Sequence, residues 1–104
     1  MKTTSHRNIA ADILREAGGA DIAVGPLCWC RHRDGSRDLR FGITRLLAGR
    51  PKTTWVYCAS EVDRLMLIIA LLRSPRFAIH VQEDERDWCD LRDKLWPEVE
   101  DDEW

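Results

Sequence analysis

Residues 53–82, TTWVYCASEVDRLMLIIALLRSPRFAIHVQ, hold the pattern from which the fold is read. Residues 53–59 mix β-branched and aromatic side chains, the composition of a strand. Ser60, followed three residues later by Asp63, forms a capping box with Asp in place of the usual Glu. Val62, Leu65, Met66, Ile69 and Leu72 then recur at helical spacing, while Leu67, Ile68 and Leu71 occupy the other side. Residues 65–72 are therefore apolar all round, and a helix of that kind is expected to be covered on most sides, as a central core helix. Ser74-Pro75 ends it, because the residue before proline is driven out of helical geometry. Phe77, Ile79 and Val81 alternate with Arg76, Ala78, His80 and Gln82, which predicts a strand with one polar face. Strand, buried helix and strand in this length predict a βαβ unit, its two strands parallel and its crossover right-handed.

Outward from that unit, Thr4 or Ser5 caps a first helix carrying Ile9, Ile13, Leu14 and Ala17, with Gly18-Gly19 as its stop. After Ile22-Ala23-Val24 and the break at Gly25-Pro26, residues 27–33 form an extended run that ends at Asp34-Gly35-Ser36. Leu39, Phe41 and Ile43 alternate beyond that turn, so the two runs predict a β-hairpin. Residues 44–48 read as a short helical turn closed by Gly49 and followed by Pro51. Asp84 caps a last helix with Trp88, Leu91 and Leu95 on one face and an Asp90–Lys94 pair on another, and Pro97 stops it. The fold class is mixed α/β: a hairpin, a βαβ unit and flanking N- and C-terminal helices in one domain over residues 1–104, with 97–104 an acidic tail. A chain of this length buries roughly 65% of its unfolded surface, enough for one core without staples.

The first ten residues, MKTTSHRNIA, lack the apolar stretch of a secretory signal. The longest apolar run has eight residues, where a membrane helix takes about 20. The expectation is a soluble cytoplasmic protein whose four cysteines, Cys28, Cys30, Cys58 and Cys89, stay reduced.

Charge divides sharply along the chain. Residues 1–82 hold thirteen Lys/Arg and seven Asp/Glu, a net of +6; residues 83–104 hold three and eleven, a net of −8. Seven cations (Arg31, Arg33, Arg37, Arg40, Arg45, Arg50 and Lys52) fall within residues 31–52. Three physical readings follow. The acidic end folds back and neutralises the basic body, through surface pairs worth about 0–1 kcal/mol each. Or it docks on a basic groove of a nucleic-acid-handling protein, imitating phosphate charge. Or the basic segment itself holds nucleic acid, with Trp29 and Trp55 as stacking platforms, although no helix-turn-helix, zinc finger or RNA-binding signature is present and the isoelectric point is about 5.9.

The second reading assigns a non-enzymatic inhibitor or adaptor. Its partner-binding residues are Asp84, Glu85, Asp87, Asp90, Glu98, Glu100, Asp101, Asp102, Glu103 and Trp104. The final stretch, WPEVEDDEW, is similar in pattern to the acidic, hydrophobically tipped tails of bacterial single-stranded-DNA-binding proteins: an aromatic anchor for an apolar pocket, with carboxylates for a basic rim. A small, acid-ended chain without a catalytic motif also resembles, in type, phage and mobile-element inhibitors such as anti-CRISPR proteins. No cofactor motif is present, and self-association is left open.

Two chemical constellations remain. Cys28, Cys30 and His32 share one face if they lie on a strand, and Cys58 on a neighbouring strand completes a Cys₃His set for zinc. Its spacing departs from the C-x₂₋₄-C turn of structural zinc, and free cysteine is often simply a small buried side chain. Alternatively Cys58, just ahead of the capped helix, feels the helix N-terminus and takes His80 as its base, a geometry that would suit a nucleophile. Asp34, Asp38, Glu61 and Asp63 match no nuclease spacing and serve as turn or cap residues.

Overall fold

The structure, a computed structural model, describes residues 6–97. Helix α1 (His6–Glu16) buries Ala10 and Ile13 and turns Arg7, Asn8, Asp12 and Arg15 outward. The chain then enters β1 (Gly18–Val24) directly, so Gly18 and Gly19 belong to the strand start rather than to a loop, with Gly19 at φ 71°. Strands β2 (Cys28–Arg31), β3 (Arg37–Leu47) and β4 (Arg50–Cys58) follow, then helix α2 (Glu61–Leu72), strand β5 (Ala78–Val81) and helix α3 (Glu85–Leu95).

Strand β3 is the spine of the sheet. One of its edges pairs antiparallel with β4 from Leu39↔Cys58 to Leu47↔Arg50. The other edge is shared: β2 takes Arg37 to Arg40, and β1 takes Ile43, Thr44 and Leu46. The hairpin expected from residues 27–43 is the β2–β3 pair, closed by a turn in which Asp34 accepts from the Ser36 N–H and hydroxyl. Strand β5 lies outside β1 and parallel to it.

Two local expectations differ from this arrangement. Residues 44–48 are not helical: β3 runs on to Leu47, and Ala48 and Gly49, both at positive φ (54° and 81°), make the two-residue turn into β4. Paired left-handed residues match the twist of a tight hairpin. Pro51 is accommodated because β4 is an edge strand, where a missing N–H breaks no ladder. The βαβ expectation holds for direction but not for adjacency. Strands β4 and β5 point the same way, yet β3 and β1 lie between them. The β3–β4 hairpin leaves the outer edge of β4 open, and β5 pairs instead with β1.

Parity sorts the side chains into two layers. Phe41 and Ile43 of β3 face one way, into a core shared with Ile13, Ala17, Ile22, Val24, Leu67 and Leu71, and Leu39 on the same side is only half-buried. Arg40, Gly42 and Thr44 face the other way, toward α3. The sheet is thus covered by α1 and α2 on one face and by α3 on the other. The indole of Trp88, 2% exposed, needs both Gly25 and Gly42. A Cβ at Gly42 would sit 2.4 Å from Trp88 Cη2, and one at Gly25 2.7 Å from Cδ2.

The expectation that α2 is covered on most sides is met only on its inner side. Leu67 and Leu71 are fully buried, whereas Val62, Leu65, Met66, Ile69 and Leu72 are 47–63% exposed. Among the described residues α1 packs beside the helix and the sheet beneath it, and the outer face stays exposed. Its inner side also holds a charge. Arg64, wholly buried, donates from Nε to Gly25 O at 2.9 Å and from Nη2 to Gln82 O at 3.0 Å. Its Nη1 reaches Glu61 at 3.0 Å and Glu83 at 3.3 Å. One guanidinium therefore ties α2 to the carboxyl ends of β1 and β5, satisfying two carbonyls that the sheet leaves unpaired. No helix of the described residues is long and apolar enough to cross a membrane.

Candidate functional site

Helix α3 starts where Asp84 accepts from the N–H groups of Arg86 and Asp87, at 2.9 and 3.2 Å. Asp84, Glu85, Asp87 and Asp90, all named from the sequence, are exposed, and Asp93 joins them. Trp88 and Arg92 face the sheet, so Asp87, Asp90 and Asp93 fall at three-residue steps on the outward side, about 4.5 Å apart along the axis. Among the described residues none of Glu85, Asp87, Asp90 and Asp93 forms an ion pair, and the expected Asp90–Lys94 bridge is not closed. Most carboxylates elsewhere are engaged: Asp12 by Arg15, Asp21 by His80, Asp38 by His32, Asp63 by His6, and Glu61 and Glu83 by Arg64. The remaining residues assigned from the sequence (Glu98, Glu100, Asp101, Asp102, Glu103 and Trp104) lie outside the described residues.

The seven cations of residues 31–52 do not form one patch. Strand β3 is about 34 Å long at 3.4 Å per residue, and the register puts Arg31, Arg33 and Arg37 near one end and Arg50 and Lys52 near the other. Arg45 is withdrawn into the fold, donating to Lys52 O and Thr54 Oγ1. Arg40 is on the α3 side of the sheet, its Cζ 4.0 Å from the Trp55 ring centroid and 6.0 Å from that of Tyr57, and burial works against the attractions that raise its pKa. Trp55 continues this stack edge-to-face into Trp88 at 5.7 Å. At the hairpin, Trp29 is 62% exposed with the Arg37 guanidinium 5.4 Å from its ring. A strand tryptophan is more often core, so this exposure was not legible from residue type; the cue was its place beside the arginine-rich turn.

The thiol and histidine sets are taken apart by the sheet. Cys28 pairs with Arg40 and Cys30 with Asp38, while Cys58 pairs with Leu39, so Cys58 faces the opposite side and lies across β3. His32 is past the end of β2 and bonds Asp38 at 2.6 Å. The Cys₃His set proposed for zinc is not brought together, and no group of three metal-ligating side chains forms among the described residues. His80 lies on β5, with two strands between it and the β4 strand of Cys58, and bonds Asp21 at 2.8 Å. Burial, then the charges of Asp63 and Glu61, push the Cys58 thiol up, opposite to what a nucleophile requires. The Cys58–His80 dyad is thus corrected as well: the two side chains are on separated strands, and burial, with Asp63 and Glu61 adding to it, raises the thiol that the helix N-terminus was to activate.

No protein-family model matches the chain, and no curated protein and no solved structure matches it.

Proposed function

We propose that this domain acts by binding, as an inhibitor or adaptor whose acidic α3 face, continuing into residues 98–104, occupies a basic surface on a nucleic-acid-handling protein. The observation that carries the reading is that Glu85, Asp87, Asp90 and Asp93 are exposed with no ion pair among the described residues, while six carboxylates elsewhere contact a basic side chain, three of them an arginine and three a histidine. A rigid row of unmatched carboxylates keeps its field for another molecule, steers association and competes with phosphate for Lys/Arg sites. The helix is firmly seated by Trp88, so the row is presented without ordering cost.

The test is capture of proteins on the immobilised chain, followed by elution with duplex DNA, for the wild type and for Asp87→Lys/Asp90→Lys. Nucleic-acid-binding proteins that are released by DNA or by raised salt, and that the variant fails to retain, are the expected result. Equal retention by the variant removes α3 from the binding surface.

A second reading rests on Trp29. Its exposed ring beside Arg37, with Arg31 and Arg33 close by, is a stacking and phosphate-contacting pair of the kind that holds single strands. Titrating a fluorescent single-stranded oligonucleotide at two salt concentrations decides it. Trp29→Ala is expected to weaken salt-sensitive binding about 5- to 100-fold. Absence of binding by the wild type excludes this reading and leaves the first untouched.

A further inference from the structure

We infer that the outer face of α2 is a two-fold interface with a second copy of this chain, the two α2 helices packing antiparallel. Val62, Leu65, Ile69 and Leu72 lie at spacings of three, four and three, the seam of a two-helix coiled coil, and Met66 broadens it. All five are about half exposed or more, on a helix that is otherwise well packed. Monomeric proteins rarely leave a contiguous apolar stripe of this kind open.

A second copy is the occupant because the stripe is complementary to itself. Val62 and Leu72 are equidistant from Leu67, and so are Leu65 and Ile69. Antiparallel pairing about a two-fold axis at that level therefore sets Val62 against Leu72 of the partner and Leu65 against Ile69 of the partner, with Met66 at the margin of the seam. An isologous contact requires this reciprocity. Charge selects the same direction. The first turn of α2 carries Asp63, which is held in the cap, and Glu61, which contacts Arg64 yet keeps about half its side chain exposed, and the far end carries Arg73, which lines a groove of about 240 Å³ between α1 and α2 together with Arg7. Antiparallel helices bring the acidic end of one to the cationic end of the other and oppose their dipoles, whereas parallel helices would gather like charges. This interface is on the opposite face of the sheet from α3, so the inference does not depend on the proposed function.

The experiment uses Leu65→Glu and Ile69→Lys, each alone and then mixed in equal amounts, followed by light scattering across the micromolar range. Both side chains are exposed, and circular dichroism is expected to show both variants folded. The wild type is expected to be a dimer. Each variant alone is expected to weaken association by roughly tenfold or more. The mixture is expected to recover it, because antiparallel pairing puts the new Glu against the new Lys and leaves the other layer apolar. A wild type that is monomeric throughout overturns the inference and leaves the face to a different protein. Variants that dimerise as well as the wild type overturn it too. A mixture no tighter than the separate variants overturns the antiparallel register.

Discussion

Helices α2 and α3 sit on opposite faces of one sheet and are built inside out relative to each other. Helix α2 buries an arginine and shows Val62, Leu65, Met66, Ile69 and Leu72 to the outside. Helix α3 buries a tryptophan and shows Glu85, Asp87, Asp90 and Asp93. Mean hydropathy would have placed the first deep in the core and the second at the rim, yet each is held by a few inward side chains, Arg64 with Leu67, Ile68 and Leu71 in α2 and Trp88 with Arg92 in α3. The lesson is that a helix is anchored by the fit of a few inward contacts, and its outward face is left for other uses.

Removing the charged anchor has the largest expected effect. Arg64→Ala strands the carbonyls of Gly25 and Gln82 and opens a cavity, so a loss of about 3 kcal/mol or more is expected from urea unfolding. Arg64→Met, which refills the volume without the hydrogen bonds, separates the two contributions. If Arg64→Ala unfolds with the wild-type midpoint, the guanidinium is not the anchor of α2.

The anchor of α3 is one of shape. Gly42→Ala puts a methyl 2.4 Å from the Trp88 ring and 3.0 Å from Thr53 Cγ2, forcing the indole out of its slot at about 1–3 kcal/mol. Near-ultraviolet circular dichroism should lose tryptophan signal in this variant while the far-ultraviolet spectrum stays close to wild type.

The cap of α2 contributes less. Ser60 Oγ accepts from the Val62 N–H, and Ser60→Ala is expected to cost about 1 kcal/mol in the same unfolding measurement. Its partner Asp63 gives the pH dependence. Hydrogen bonds from the Ala59 and Ser60 N–H groups, with His6 nearby, hold this carboxyl below its ordinary 3.8. A depressed carboxyl contributes stability above its unfolded value and loses it as pH falls through its folded value. The midpoint gap between wild type and Asp63→Asn is therefore expected to be full at neutral pH and to narrow below about 3.8. A gap that is constant down to strong acid would refute the cap's ionic part.

Ile69→Lys closes the series with the smallest effect. If the outer face of α2 has no role in holding the monomer together, the monomer's stability should change by no more than about 0.5 kcal/mol. A large loss would mean that the face is part of the fold.

Much of the fold could be read ahead of the structure because the relevant forces are local. The capping pair Ser60–Asp63, the proline after Ser74, the Asp34-Gly35-Ser36 turn and the alternation at Leu39, Phe41 and Ile43 act within a few residues. Helix α3, its Asp84 cap and its outward carboxylates were legible for the same reason. What was misread depended on partners far away in the chain. The apolar circumference of α2 gives no sign that Arg64 would be taken inward by carbonyls 18 and 39 residues distant, leaving the outer stripe uncovered. Residues 44–48 lacked a strand's alternation because Thr44 and Arg45 are both buried, one on each face of β3, while Leu46 and Leu47 are only half-buried.

The amino-acid order by itself determined the mixed α/β class, most element boundaries and the bipolar charge, since these follow from backbone preference and composition. The tertiary structure alone decided that β3 and β1 separate the two parallel strands, that Cys58 faces away from Cys28 and Cys30, and which carboxylates find a cation. Those outcomes turn on strand order and register. Shifting a pairing by one residue reverses every side chain on the strand, and no local signal specifies which strands will be neighbours.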